Sequence, residues 1–286
     1  MSEEGIQEQE LSAKAMNTAS VSINLNGNRL VRNVLIFGIA FEVFLVIIDA
    51  FVNYGGLTNI EQIRNLCNIA REDSLASWFG TTQTLMTGLT LWLIFLINKH
   101  SLRPKKAIIG WCVLAVFFTY MAVDDGAELH ERLSSAFYIM FTSSSSQEAS
   151  ASWLASFFEN FPSYTWQLVF GPLFAAMGIF TLIFLWYELK HRREIVLIIL
   201  ALSCFVAAVG LDFFEGLEEY QDEWDIYPWF INHFDVERYT VRHFSKSVEE
   251  FLEMVGNTLF WAAFLSHLAY LGKKGLSIFF IRAPKQ

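Results

Sequence analysis

Long apolar runs alternate with short polar segments along most of the chain, and six of the runs are long enough to cross a bilayer. A helix rising about 1.5 Å per residue needs about 20 apolar residues to span about 30 Å of hydrocarbon. The runs lie at about Leu30–Tyr54, Leu75–Ile97, Ala107–His130, Tyr164–Leu189, Ile195–Phe214 and Val248–Leu271. The third is open to continuation as an interfacial helix through Phe141. Backbone polar groups in lipid must be satisfied within the segment, and no alternating ten-residue strands occur, so all six are expected to be helices. The expected fold class is therefore all-α, a polytopic membrane bundle. It divides into a polar tail (residues 1–29), a six-helix transmembrane domain (30–272) and a short basic tail (273–286).

Composition agrees with this pattern. Hydrophobic residues make up 54% of the 286 and charged residues only 17%, against about 25% charged in an average soluble domain. The net charge of −9 argues against a nucleic-acid partner. Three scattered cysteines, Cys67, Cys112 and Cys204, are too few for a zinc knuckle, an iron–sulfur motif or a disulfide framework.

Lys and Arg fall unevenly between the two sides of the six runs. With the N-terminus inside, the inner segments hold 14 of the 20, from Lys14 through Lys105, Lys106, Arg192 and Arg193 to Lys285. The positive-inside rule then predicts cytoplasmic termini at both ends, in an inner (plasma) membrane. The outer segments include an amphipathic stretch from Ile60 to Leu66, a Ser-rich run from Ser143 to Ser146, and an acidic aromatic loop at 218–230. Trp and Tyr in that loop fit an interfacial belt.

The acidic residues carry the candidate chemistry. In this topology the outer ends of the third, fifth and sixth runs hold Asp124, Asp125, Glu128 and Glu131; Asp212 and Glu215; and Glu249, Glu250 and Glu253. Asp49 closes the first run on the same side. Asp124, Glu128 and Glu131 follow i, i+4, i+7 spacing and Asp212, Glu215 and Glu219 follow i, i+3, i+7, so each set shares a helix face. Carboxylates crowded beside a membrane cannot all ionise without cations; they share protons or hold a metal. These nine side chains are the candidate metal ligands, for a divalent or di-metal site of iron or manganese, with zinc also compatible. No Glu-x-x-His pair of the ferritin type occurs. His130 stands beside the cluster as a ligand or a general base. Glu42 sits mid-helix in the first run, the Thr81–Thr84 stretch could supply neutral hydrogen bonds, and His243 lies about a turn before the sixth run.

Three segments, Val123-Asp124-Asp125 with Leu129-His130-Glu131, Val248 to Gly256, and Arg71 to Phe79, resemble those of a family of uncharacterised bacterial multi-pass membrane proteins. The resemblance runs from about Leu35 to Leu271 and implies a membrane fold without implying an activity. The residues themselves support three expectations. The first is a metal-dependent membrane enzyme acting on a lipid-soluble or interfacial substrate. The second is a proton- or cation-coupled transporter or channel. The third is a non-catalytic subunit of a membrane complex, docking a membrane-protein partner through loop 218–230. The lipid bilayer is a partner in all three.

Overall fold

Every regular element among the described residues is a helix, as the spacing of the apolar runs requires. The computed structural model describes residues 26–144, 156, 158, 160–219 and 225–272. Most of both polar tails, part of the Ser143–Ser146 run and residues 220–224 of the acidic loop lie outside the described residues.

Helix α1 (Gly27–Ile48) closes in a π-helical turn, Asp49–Tyr54. A short α2 (Glu61–Cys67) occupies the amphipathic stretch. Then follow α3 (Leu75–Lys99), α4 (Lys105–Ala127) and α5 (Leu129–Ser144). After them come α6 (Thr165–Val169), α7 (Gly171–Glu188), α8 (Arg192–Glu219), α9 (Tyr227–Phe234) and α10 (Arg238–Leu271). The starts are written locally. The Asn26 side chain accepts the Arg29 N–H and the Ser74 hydroxyl accepts the Ser77 N–H, each at 3.2 Å, satisfying donors that the first turn leaves unpaired. Proline opens α7, where its missing N–H has no helical partner to lose.

Five helices are long and apolar enough to cross a membrane: α1 with its π turn, α3, α4, α7 and α8. They turn large apolar side chains outward, among them Phe37, Ile109, Ile183 and Val206. Such a belt would be a liability in water and suits lipid. The chain thus fits a multi-pass membrane protein.

The sixth expected run falls on α10, which starts ten residues earlier than the apolar pattern suggests and is the longest helix described. It packs against α8, α1 and α3. Surrounded by protein, α10 can carry Ser247, Glu249, Asn257, Thr258 and His267 buried along its length. Two other runs differ from expectation. The third stops at Ala127, because Glu128 takes a left-handed backbone conformation (φ 51°) and the chain restarts as α5. Asp124, Glu128 and Glu131 therefore do not form a single helical row. The fourth run breaks at Phe170 into α6 and α7.

The apolar core lies toward the basic end, where α3 ends and α4 begins. Leu91, Ile94, Trp111, Leu114, Phe118, Ile198 and Phe264 are buried there. Phe118 lies edge-on to Phe260 at 5.0 Å and to Phe264 at 5.7 Å. Buried polar side chains concentrate in the other half, toward the acid end.

Candidate functional site at the acid end of the bundle

The left-handed residue Glu128 sets the geometry of the first half of the site. It turns the chain so that the N-terminus of α5 faces back on the last turn of α4. Buried Asp124 then reaches over the break. Its Oδ1 accepts the His130 backbone N–H at 2.8 Å, and its Oδ2 meets His130 Nδ1 at 2.9 Å. The Tyr120 hydroxyl donates to the same carboxylate at 3.3 Å. A carboxylate can only accept, so this contact places the proton on Nδ1 and leaves Nε2 of the neutral ring as an acceptor. Nε2 lies 4.0 Å from Glu131. Trp166 packs edge-on to the imidazole at 4.8 Å. Burial disfavours a charged His130, but the hydrogen bond and charge of Asp124, helped by Glu131 and Asp212, outweigh it and hold its pKa above the ordinary value.

The second half is organised by Lys246. Its ammonium lies 2.6 Å from Glu249, 3.7 Å from Glu250 and 3.9 Å from Asp212, joining α10 to α8. Asp212 also accepts from Trp166 Nε1 at 3.0 Å and Gln167 Nε2 at 2.7 Å. Since Trp166 touches both His130 and Asp212, α6 ties the two halves together. Glu215 pairs with Arg242 at 3.4 Å and Glu128 with Arg132 at 3.1 Å. Glu72, between α2 and α3, borders the same layer. Its carboxyl is pushed up to about 7, first by withdrawal from water and then by the charge of Glu250, with Glu131 and Glu128 adding to this against the pull of Lys246.

Seven of the nine predicted ligands are thus divided among four bases: Asp124 and Glu131 at His130, Asp212, Glu249 and Glu250 at Lys246, Glu215 at Arg242 and Glu128 at Arg132, with Asp125 and Glu253 outside these pairs. Asp125, Glu215 and Glu249 each keep one buried carboxylate oxygen without a hydrogen-bond partner among the described residues. Among the described residues no three His, Cys, Asp or Glu side chains converge as a ligand set for one ion. Sequence spacing alone does not assign Lys246, Trp166, Gln167 or Glu72 to the site. Lys246 does carry a signal, since it precedes Glu249 and Glu250 by one helical turn. The other three join through tertiary contacts.

Two further polar clusters extend the site. In the first, Asp49 at the π turn meets His243 Nε2 at 2.9 Å and accepts from Asn53 Nδ2 at 2.9 Å. The Ile69 N–H and the Ser247 hydroxyl each lie 3.4 Å from it. Tyr54 and Tyr239 stack on the His243 ring at 5.4 and 5.8 Å. His243 lies within α10 itself, facing α1. In the second, Glu42 is fully buried. Its Oε1 accepts from Gln83 Nε2 at 2.8 Å and from the Thr258 hydroxyl at 2.6 Å. Glu42 Oε2 and Gln83 Oε1 have no partner among the described residues. The Thr81–Thr84 stretch thus sends its Gln toward mid-bundle. From Gln83 the apolar core begins about 12 Å further along α3, at Leu91.

No curated protein and no solved structure matches the chain. The family model described as "Domain of unknown function (DUF8692)" matches residues 35–268. That span takes in most or all of every long apolar helix, the acid layer and both polar clusters beside it, so the chain belongs to the DUF8692 family.

Proposed function

We propose that this protein is a multi-pass membrane enzyme that carries out general acid–base chemistry on a lipid-soluble or interfacial substrate at the acid end of its bundle. The His130–Asp124 pair is the observation that carries this reading. Asp124 is buried, fixes the ring and its tautomer, and leaves Nε2 facing the acid layer, which is the arrangement a positioned base needs. Lys246 and the carboxylates around it supply a charge reserve that can hold a proton or stabilise a developing anion. In this reading α10 is the sixth span, its polar residues shielded by α1, α3 and α8. The distribution of Lys and Arg then puts both termini in the cytoplasm and the acid layer at the outer leaflet of the inner membrane.

The test uses purified full-length protein in vesicles of total membrane lipid extract, read by lipid mass spectrometry. Wild-type protein is expected to convert at least one lipid species, and His130→Gln to slow this about 10²- to 10⁴-fold. A lipid profile identical to that of protein-free vesicles would overturn the reading.

Metal binding by the acid layer is a second reading, favoured by the unpartnered oxygens of Asp125, Glu215 and Glu249. Iron or manganese suits such oxygen donors better than zinc. An incoming ion has to displace Lys246 from Glu249. Elemental mass spectrometry on the purified protein is expected to show stoichiometric metal that is lost in Glu249→Ala/Glu253→Ala; metal-free wild type refutes it. Transport through the bundle has less support, because the aromatic core around Phe118 and Phe264 interrupts the polar path below Glu42.

A further inference from the structure

At the opposite, basic end the bundle holds a cavity of about 180 Å³ that the acid–base site does not use. Asn98, Arg103, Glu188, Lys190, His267 and Tyr270 line it. His267 is 2% exposed, and neither ring nitrogen has a hydrogen-bond partner among the described residues. Buried polar groups are normally satisfied, so two orphan nitrogens on one buried ring point to a partner that enters from outside the chain. The ring is held ready for one. It stacks on fully buried Trp111 at 4.9 Å with 15° between the planes.

The surrounding charges identify the partner. Arg103 is clamped in place, its Nη2 on Glu188 at 2.5 Å and its Nε on Asn98 at 3.0 Å. Trp111 Nε1 donates to the same Glu188 oxygen at 3.2 Å. Two of the five guanidinium N–H groups are thus used, and the carboxylate is already engaged. Lys190 lies over the Tyr270 ring at 5.9 Å and forms no salt bridge among the described residues. Glu188 offsets one of the two cations, Arg103 and Lys190, and leaves one in excess beside the N–H of His267. A clamped Arg, an exposed Lys and an imidazole N–H match the oxygens of a phosphate group. The cavity has room for such a group and a few waters, each of about 30 Å³. Its place, where α3, α7 and α10 end, puts it at the headgroup level of a spanning bundle, and basic pockets between helices at that level bind lipid headgroups.

We propose that this cavity is a phosphate-binding site, reading the phosphate of an anionic lipid or free phosphate through His267, Arg103 and Lys190.

The experiment uses the full chain in mild detergent, with thermal unfolding and native mass spectrometry as readouts. One arm titrates phosphatidic acid against phosphatidylcholine, and the other inorganic phosphate against chloride at equal ionic strength. The expected result is stabilisation and retained mass with phosphatidic acid but not phosphatidylcholine, weakened at least tenfold in His267→Gln and in Lys190→Gln. Lys190 is exposed, so Lys190→Gln folds even where the buried substitution does not. Stabilisation by inorganic phosphate at similar concentration would make free phosphate the source; its absence makes the lipid the source. Either outcome upholds a phosphate site. No effect in either arm overturns it, as does binding that Lys190→Gln leaves unchanged.

Discussion

Replacing Asp49 by Ala tests whether the π turn is held by its buried polar cluster. The carboxylate is 1% exposed and meets Asn53 and His243 at 2.9 Å each. Hydrogen bonds to a charged group contribute about 1.5–3 kcal/mol each, so these two sum to about 3–6 kcal/mol. Relief of the carboxylate's own burial gives some of this back, while the donors of His243 and Asn53 are left unsatisfied. The net loss should be about 3–5 kcal/mol, as for breaking other buried pairs. Asp49→Asn keeps the shape and one acceptor and should cost about half as much. Ser247→Ala is the control. Its hydroxyl already bonds the His243 carbonyl of its own helix at 2.8 Å and sits 3.4 Å from Asp49, so its loss should cost under about 1 kcal/mol. Three partly buried cysteines, Cys67, Cys112 and Cys204, allow unfolding to be followed in detergent with a thiol-reactive fluorogenic dye. At about 2–4 °C per kcal/mol, Asp49→Ala should lower Tm by about 10 °C. Combining it with His243→Ala should add much less than the two single losses, a coupling of about 1–3 kcal/mol. A Tm within about 2 °C of wild type for Asp49→Ala, or equal losses for Asp49→Ala and Ser247→Ala, would refute the reasoning.

Other predictions follow from the same geometry. His130 has a raised folded-state pKa, so the stability of its pairing with Asp124 is full below about pH 6.5 and is lost as pH rises through the raised value. Activity through the neutral ring should rise over the same window, and Asp124→Asn should abolish both trends in parallel Tm and turnover profiles. Glu72, raised to about 7, likewise destabilises the fold as it ionises. Glu72→Gln should therefore stabilise the fold at pH 8 but not at pH 4, by about 1 kcal/mol once solvent screening of this exposed side chain is allowed for, read as a Tm higher by about 2–4 °C. Gln83→Leu leaves the buried Glu42 carboxylate with Thr258 as its one donor among the described residues and should cost about 2–4 kcal/mol, measured by the same dye assay. Glu128→Gly relieves a left-handed backbone and loses an exposed Arg132 pair, so it should be neutral or stabilising by up to about 1 kcal/mol; a clear loss of Tm would show that the Glu128 side chain holds the site together.

The sequence alone determined that the chain is helical and apolar enough for a membrane, because span length and hydropathy are properties of consecutive residues. It also placed the acids of α4, α8 and α10 at one end of the bundle, since each set lies at the outer end of an apolar run. Helical spacing could not show that Glu128 breaks its own row. A single left-handed residue changes the direction of everything after it, and Glu is not a residue that announces such a turn. Nor could it show that α10 is the central helix. Its polar residues weaken the apolar signal for the same reason that they are tolerated, because α1, α3 and α8 rather than lipid surround them. The pairings that define the chemistry, His130 with Asp124, Asp212 with Trp166 and Lys246, and Asp49 with His243 some 194 positions away, belong to the tertiary structure. Hydrogen bonds are fixed by distances of tenths of an ångström between helices, and only the packing of the bundle sets those.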